Sequence, residues 1–215
     1  MRIHRLHLFA VLPALLILFA TPPARGDSFE VTLNTGPLSG TQTLAFGLTD
    51  GDGVVNNTVS FSAFNFGGGV PSGSATDTGS GITGDLSSTV SMSDTGFSSL
   101  FSQQFTVGSS LSFLLTTTNN FAGGTPDALA LFLCDATIST CYSDDASTGA
   151  MLILNLPGGS LSPSSFSLNG AAAQGLSAPI VTPVSTPEPA TLPLLAGGLL
   201  FATFLRRKKG RNPAV

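Results

Sequence analysis

Apolar side chains recur at every second position in several short runs: Phe29, Val31 and Leu33; Leu44, Phe46 and Leu48; Leu111, Phe113 and Leu115. A spacing of two puts all members of a run on one face of an extended chain, so each run reads as a half-buried β-strand. A fourth run, Val59, Phe61, Phe64 and Phe66, changes phase once, which predicts a β-bulge. Residues 128–134 and 151–156 are almost continuously apolar, the pattern of central strands packed on both faces. No stretch of this middle region keeps a period of 3.6. Between the runs stand Gly36-Pro37, Asp50-Gly51-Asp52-Gly53, Gly67-Gly68-Gly69, Gly123-Gly124-Thr125-Pro126 and Pro157-Gly158-Gly159, each able to reverse the chain. Residues 27–172 therefore predict an all-β fold, a single antiparallel β-sandwich or jelly-roll-like domain. Twelve phenylalanines and no tryptophan in this stretch would supply most of its core. A Ser/Thr/Gly-rich coat segment without a core is the competing reading, and this aromatic content speaks against it.

The charges are segregated. Residues 27–205 contain no Lys, Arg or His, and all 12 acidic residues fall inside that stretch. Such a segment cannot neutralise a phosphate backbone, which excludes nucleic acid as a partner. It also lacks the bases and cationic groups of the usual catalytic constellations, so no enzyme activity is expected.

The basic residues sit at the two ends, where they read as addresses. Residues 1–26 place Arg2 and Arg5 before an apolar run at 8–20, then small residues at Ala24 and Gly26, the three-part plan of a cleavable signal peptide. At the other end a Pro-rich linker, 173–186, leads to Pro187, Glu188 and Pro189. An uncharged apolar run follows at 191–205, then Arg206, Arg207, Lys208 and Lys209. A basic cluster directly after an apolar run halts export and fixes that end in the cytoplasm. The 15 residues of the run make about 22 Å of helix, a thin transmembrane anchor for a hydrocarbon core of roughly 30 Å.

With Pro187-Glu188-Pro189, the short Gly-containing apolar run and the Arg-rich end in this order, residues 187–215 resemble the PEP-CTERM sorting signal of Gram-negative bacteria. The resemblance implies recognition and removal of the tail by exosortase, a membrane-embedded processing enzyme. It also implies transient inner-membrane anchoring, then delivery to the cell surface or exopolysaccharide. From Ser28 through Gly170 the chain is also similar to a group of small PEP-CTERM exoproteins of unassigned function. Leu38-Ser39-Gly40-Thr41-Gln42-Thr43-Leu44, the stretch 116–121 with its following Gly-Gly-Thr-Pro-Asp, and residues 134–145 carry that similarity.

Cys134 and Cys141 are the only cysteines. Outside the inner membrane thiols are oxidised, so they are expected to form a disulfide stapling a hairpin. Without a His to act as base, and with two thiols too few for a zinc site, catalytic or metal-binding roles are disfavoured. Asp50-Gly51-Asp52-Gly53 with Asn56 and Asn57 clusters the oxygen ligands that a hard cation takes. The loop has no third acid and no terminal bidentate Glu, so an ordinary turn is expected here, with no metal site and no cofactor. Asp144 and Asp145, if on a strand, would point to opposite faces and could not act as a glycosidase pair.

Together these readings predict an exported surface or extracellular-matrix protein with a structural or adhesive role in association with exopolysaccharide. The alternative is a carbohydrate-binding β-sandwich module, whose stacking platform would have to be phenylalanine.

Overall fold

The structure, a computed structural model, describes residues 26–185. The apolar run 191–205, the basic cluster and nearly all of the expected signal peptide lie outside the described residues. Among those described, no helix is long and apolar enough to cross a membrane.

The described chain is all-β, with two short 3-10 turns and two six-stranded antiparallel sheets. The strands are β1 (Gly26–Leu33), β2 (Thr41–Thr49), β3 (Thr58–Asn65), β4 (Val70–Thr78), β5 (Ile82–Thr83) and β6 (Val90–Ser93). Next come β7 (Ser98–Thr106), β8 (Leu111–Thr118), β9 (Asp127–Asp135), β10 (Leu152–Leu156), β11 (Phe166–Leu168) and β12 (Ile180–Pro183). One sheet runs β12-β1-β8-β3-β6-β5 and the other β11-β10-β9-β2-β7-β4. The pairs β1 with β8, β2 with β7 and β3 with β6 nest inside one another, as in one long hairpin wound around a core. Two poles result. At one lie Gly26, the β2–β3 loop, the β6–β7 turn and the β8–β9 loop; at the other lie the β1–β2, β7–β8 and β9–β10 connections.

Period-two spacing produced the strands where it was clearest. β8 alternates strictly between buried and half-buried positions, with Leu111, Phe113 and Leu115 on the inner face. Side chains from both sheets then join one hydrophobic cluster. Phe46 of β2 stacks on Phe61 of β3 with ring centroids 3.7 Å apart, and meets Phe113 of β8 edge-on at 5.7 Å. At the two ends of this cluster, Phe66 lies against Phe105 at 5.4 Å and Phe29 against Phe166 at 4.9 Å. The phase change falls where expected: β3 shifts register against β8 between Ser62 and Asn65, with Ala63 at φ 53°.

Two segments differ from their sequence reading. β9 and β10 are interior in strand order, yet each buries only one face fully. The outer face of β9 carries Ala128, Ala130 and Phe132, all half-buried, and that of β10 carries half-buried Ile153 and exposed Asn155. The stretch 173–186, expected as a linker, contributes β12, which pairs with β1 from Phe29↔Pro183 to Thr32↔Ile180. Pro183 is tolerated there because an edge strand pairs on one side only.

Candidate functional site

Three loops converge at the pole where β2 ends and β9 begins. Gly51 packs so tightly on the Pro126 carbonyl that a Cβ at this position would collide with it, which brings the β2–β3 loop against the start of β9. Asp127, fully buried at that start, accepts hydrogen bonds from the backbone N–H of Gly51 at 2.8 Å and of Asp52 at 3.4 Å. Its other carboxylate oxygen accepts from Asn57 Nδ2 at 2.7 Å. Asp50 accepts from Gly53 N–H at 2.6 Å, and Asp52 from Val54 N–H at 2.9 Å. Asp52 Oδ2 also accepts from Ala122 N–H at 2.8 Å, which ties in the β8–β9 loop. That Ala122 hydrogen bond is the main cause holding the Asp52 carboxyl below its ordinary pKa. Carboxylate oxygens of Asp50, Asp52 and Asp127 all lie within 4.8 Å of one another.

Behind this trio sits Asp94, 1% exposed, just past the end of β6. Its Oδ2 accepts from the backbone N–H of Asn56 at 3.1 Å and of Asn57 at 2.7 Å. Burial foremost pushes its carboxyl above the ordinary value; the two N–H donors oppose that rise and the adjoining Asp127 carboxyl adds to it. Asn57 is the hub of this pole, since its amide also donates to the Asn120 carbonyl and accepts from Asn120 N–H, both at 2.8 Å.

Sequence reasoning singled out Asp50, Asp52, Asn56 and Asn57 and missed Asp94 and Asp127. Asp127 is the third acid that the loop itself lacks, supplied by a strand start distant in sequence. Pro126-Asp127 at the head of an apolar run was the one available signal, and it read equally well as the end of a turn.

The other candidates lie at the opposite pole. Cys134 and Cys141 form a disulfide with Cα atoms 3.9 Å apart, closing the turn after β9. Asp135 N–H donates to the Thr140 carbonyl at 2.9 Å and Tyr142 N–H to that of Leu133 at 2.7 Å. Hydrogen bonds from Ser139 and then Thr137 hold the Asp135 carboxyl well below the usual range. Asp144 and Asp145 are in an irregular loop, not on a strand. Asp144 accepts from Ala172 N–H at 2.9 Å, whereas Asp145 caps its own turn through Ser147 and Thr148. Neither joins the trio.

Comparison with known proteins bears on the tail. Residues 185–209 match the PEP-CTERM protein-sorting motif. The chain carries a PEP-CTERM sorting signal. Pro187, Glu188, Pro189, Arg206, Arg207, Lys208 and Lys209 all fall within the matched residues. The PEP-CTERM motif implies export to the cell surface through exosortase, a membrane enzyme that processes such tails. No curated protein and no solved structure matches the chain.

Proposed function

We propose that this PEP-CTERM protein is a structural or adhesive component of the cell surface or extracellular matrix, held in association with exopolysaccharide. The observation that carries this reading is the sorting match at 185–209, joined to a module that has no Lys, Arg or His. In this reading residues 1–26 are a signal peptide and 191–205 a transient transmembrane helix halted by Arg206–Lys209. Pro187, Glu188 and Pro189 are the residues that exosortase recognises. The nested strand pairs and the single shared core support a jelly-roll-like sandwich as the exported module. A non-catalytic role fits carboxylates that serve as turn caps and a stretch, residues 27–205, that offers them no basic partner of its own. Fractionation of the native host with intact-mass measurement tests the proposal. The expected product lacks residues 1 to about 26 and everything beyond the Pro187-Glu188-Pro189 region, and co-fractionates with surface polysaccharide. A mature protein that keeps residues 206–215 would overturn it.

A second reading, a carbohydrate-binding module, is favoured by Phe97, which is 80% exposed in the β6–β7 turn. If that ring stacks on sugars, Phe97→Ala abolishes retention on immobilised exopolysaccharide; unchanged retention removes this reading.

A further inference from the structure

Asp94 and Asp127 are two buried carboxyls gripped by one residue. Asn57 donates its backbone N–H to Asp94 Oδ2 at 2.7 Å and its amide nitrogen to Asp127 Oδ2, also at 2.7 Å. Asp94 is 1% exposed and Asp127 fully buried. Ordinarily a buried charge is paired with an opposite one or coordinates a metal. Residues 27–205 contain no Lys, Arg or His, so this stretch brings no cation to the pair. The other titratable groups of the pole are acids too. Asp50 and Asp52 of the β2–β3 loop are half-exposed, and Asp27 of β1 accepts from Leu161 N–H at 3.1 Å. The β6–β7 turn adds only Asp94, the β8–β9 loop adds none, and Asp77 on the β4 edge is exposed. Two adjoining carboxyls in so dry a place cannot both ionise freely, and such a pair keeps one proton.

The hydrogen bonds fix where that proton sits. Asp127 accepts three donors, Gly51 N–H and Asp52 N–H at Oδ1 and Asn57 Nδ2 at Oδ2. A carboxylate has about four lone-pair sites, so one remains open. Asp94 takes both of its donors, Asn56 N–H and Asn57 N–H, at Oδ2. Its Oδ1 is buried without a partner, on a carboxyl that adjoins Asp127. Unprotonated, that oxygen faces a second acceptor; as a hydroxyl it donates to the open site. Burial, the main cause raising the Asp94 carboxyl above its ordinary value, acts in the same direction.

We propose that Asp94 Oδ1 carries a proton shared with Asp127, and that this hydrogen bond latches the β2–β3 loop and the end of β6 to the start of β9. When the proton leaves for solvent, the pole holds two buried charges and no cation. The loop held through the N–H groups of Gly51, Asp52, Asn56 and Asn57 then slackens. The folded pKa of Asp94 lies above its unfolded value, so the latch stabilises at low pH and its contribution is lost as the pH rises through the folded pKa. Its sign is opposite to that of the Asp135 and Asp145 caps, whose carboxyls are held low. The pole is therefore tightest in acid surroundings and loosens as they turn alkaline.

The test compares the purified full chain in mild detergent with its Asp94→Asn variant. The amide keeps an acceptor for Asn56 and Asn57 and a donor for Asp127, and has no proton to lose. From about pH 4, the ordinary carboxyl value, to about pH 9, the gap in melting temperature should widen in the variant's favour by at least about 2 °C. Asp135 and Asp145 are common to both proteins and cancel in that gap. In the parent, carbon NMR of the aspartate side chains should show one carboxyl titrating above the ordinary range, and Asp94→Asn should remove it. Amide-exchange protection at Gly51, Asp52 and Asn57 should fall with rising pH in the parent and hold steady in the variant. Should the variant fail to fold, the carboxyl titration of the parent decides. A water molecule or an ion as the partner of Asp94 Oδ1 predicts a gap independent of pH and carboxyls that all titrate in the ordinary range. Either result would overturn the proposal.

Discussion

The rings of Phe46 and Phe61 lie face to face, 3.7 Å between centroids and 11° from parallel, one from each sheet. Phe46 also touches Phe101, Phe113 and Phe64, so its removal opens a void bordered by both sheets. Phe46→Ala is expected to cost about 3–5 kcal/mol. Phe97→Ala, at the exposed β6–β7 turn, should change stability by less than about 0.5 kcal/mol. Urea unfolding of the two variants side by side checks the contrast.

Asn57 bridges Asp127 and Asn120 with one amide. Asn57→Ala strands these partners, and a loss of about 1–3 kcal/mol is expected. Asn57→Asp should be worse at neutral pH, because it adds a carboxylate among buried carboxyls with no cation to meet it. Chemical denaturation at neutral pH ranks the two, and the reverse order would show that Asn57 acts through shape alone.

Replacing Cys134 and Cys141 together by serine frees a short loop in the unfolded chain. On the chain-entropy account the loss is about 2–3 kcal/mol. The same shift in urea midpoint should appear when the parent protein is measured with reductant, while the reductant leaves the double variant unaffected.

Asp145, held down at a pKa of about 2 by Ser147 and then Thr148, sets one acid limit of stability. Its folded pKa lies below the unfolded value, so the stabilisation is present above about pH 4 and is lost as the pH falls toward 2. Asp135 acts in the same direction. The melting-temperature difference between the parent and Asp145→Asn should therefore be full at pH 6 and vanish near pH 2. A difference that stays constant across that range would remove these caps as the cause.

Much of the fold is legible in the chain because period-two spacing reports which face of a strand is buried, and Phe29, Phe46 and Phe113 all lie where it puts them. Spacing is silent on which strand pairs with which, so the nesting of β1 with β8 and β2 with β7 cannot be read from it. The site suffered most from this. Asp50 and Asp52 announce themselves by adjacency, whereas Asp127 and Asp94 reach them only after winding, from strand ends that carry no local signature. β12 escaped notice for another reason: Pro179 and Pro183 look like linker chemistry, yet an edge strand needs N–H donors on one side alone.

β12 runs antiparallel along the outer edge of β1, and Val184 N–H still donates to the Ser28 carbonyl at 2.8 Å. The module is therefore entered and left from one pole, with the two strands meeting there like the open end of a zip. Tension applied across both ends would part their hydrogen bonds one after another, beginning at Ser28, instead of shearing them all at once. Held by both ends the module would make a weak mechanical link. Hung from either end alone it carries no load across that seam, and the Cys134–Cys141 turn, at the opposite pole, lies at its far end.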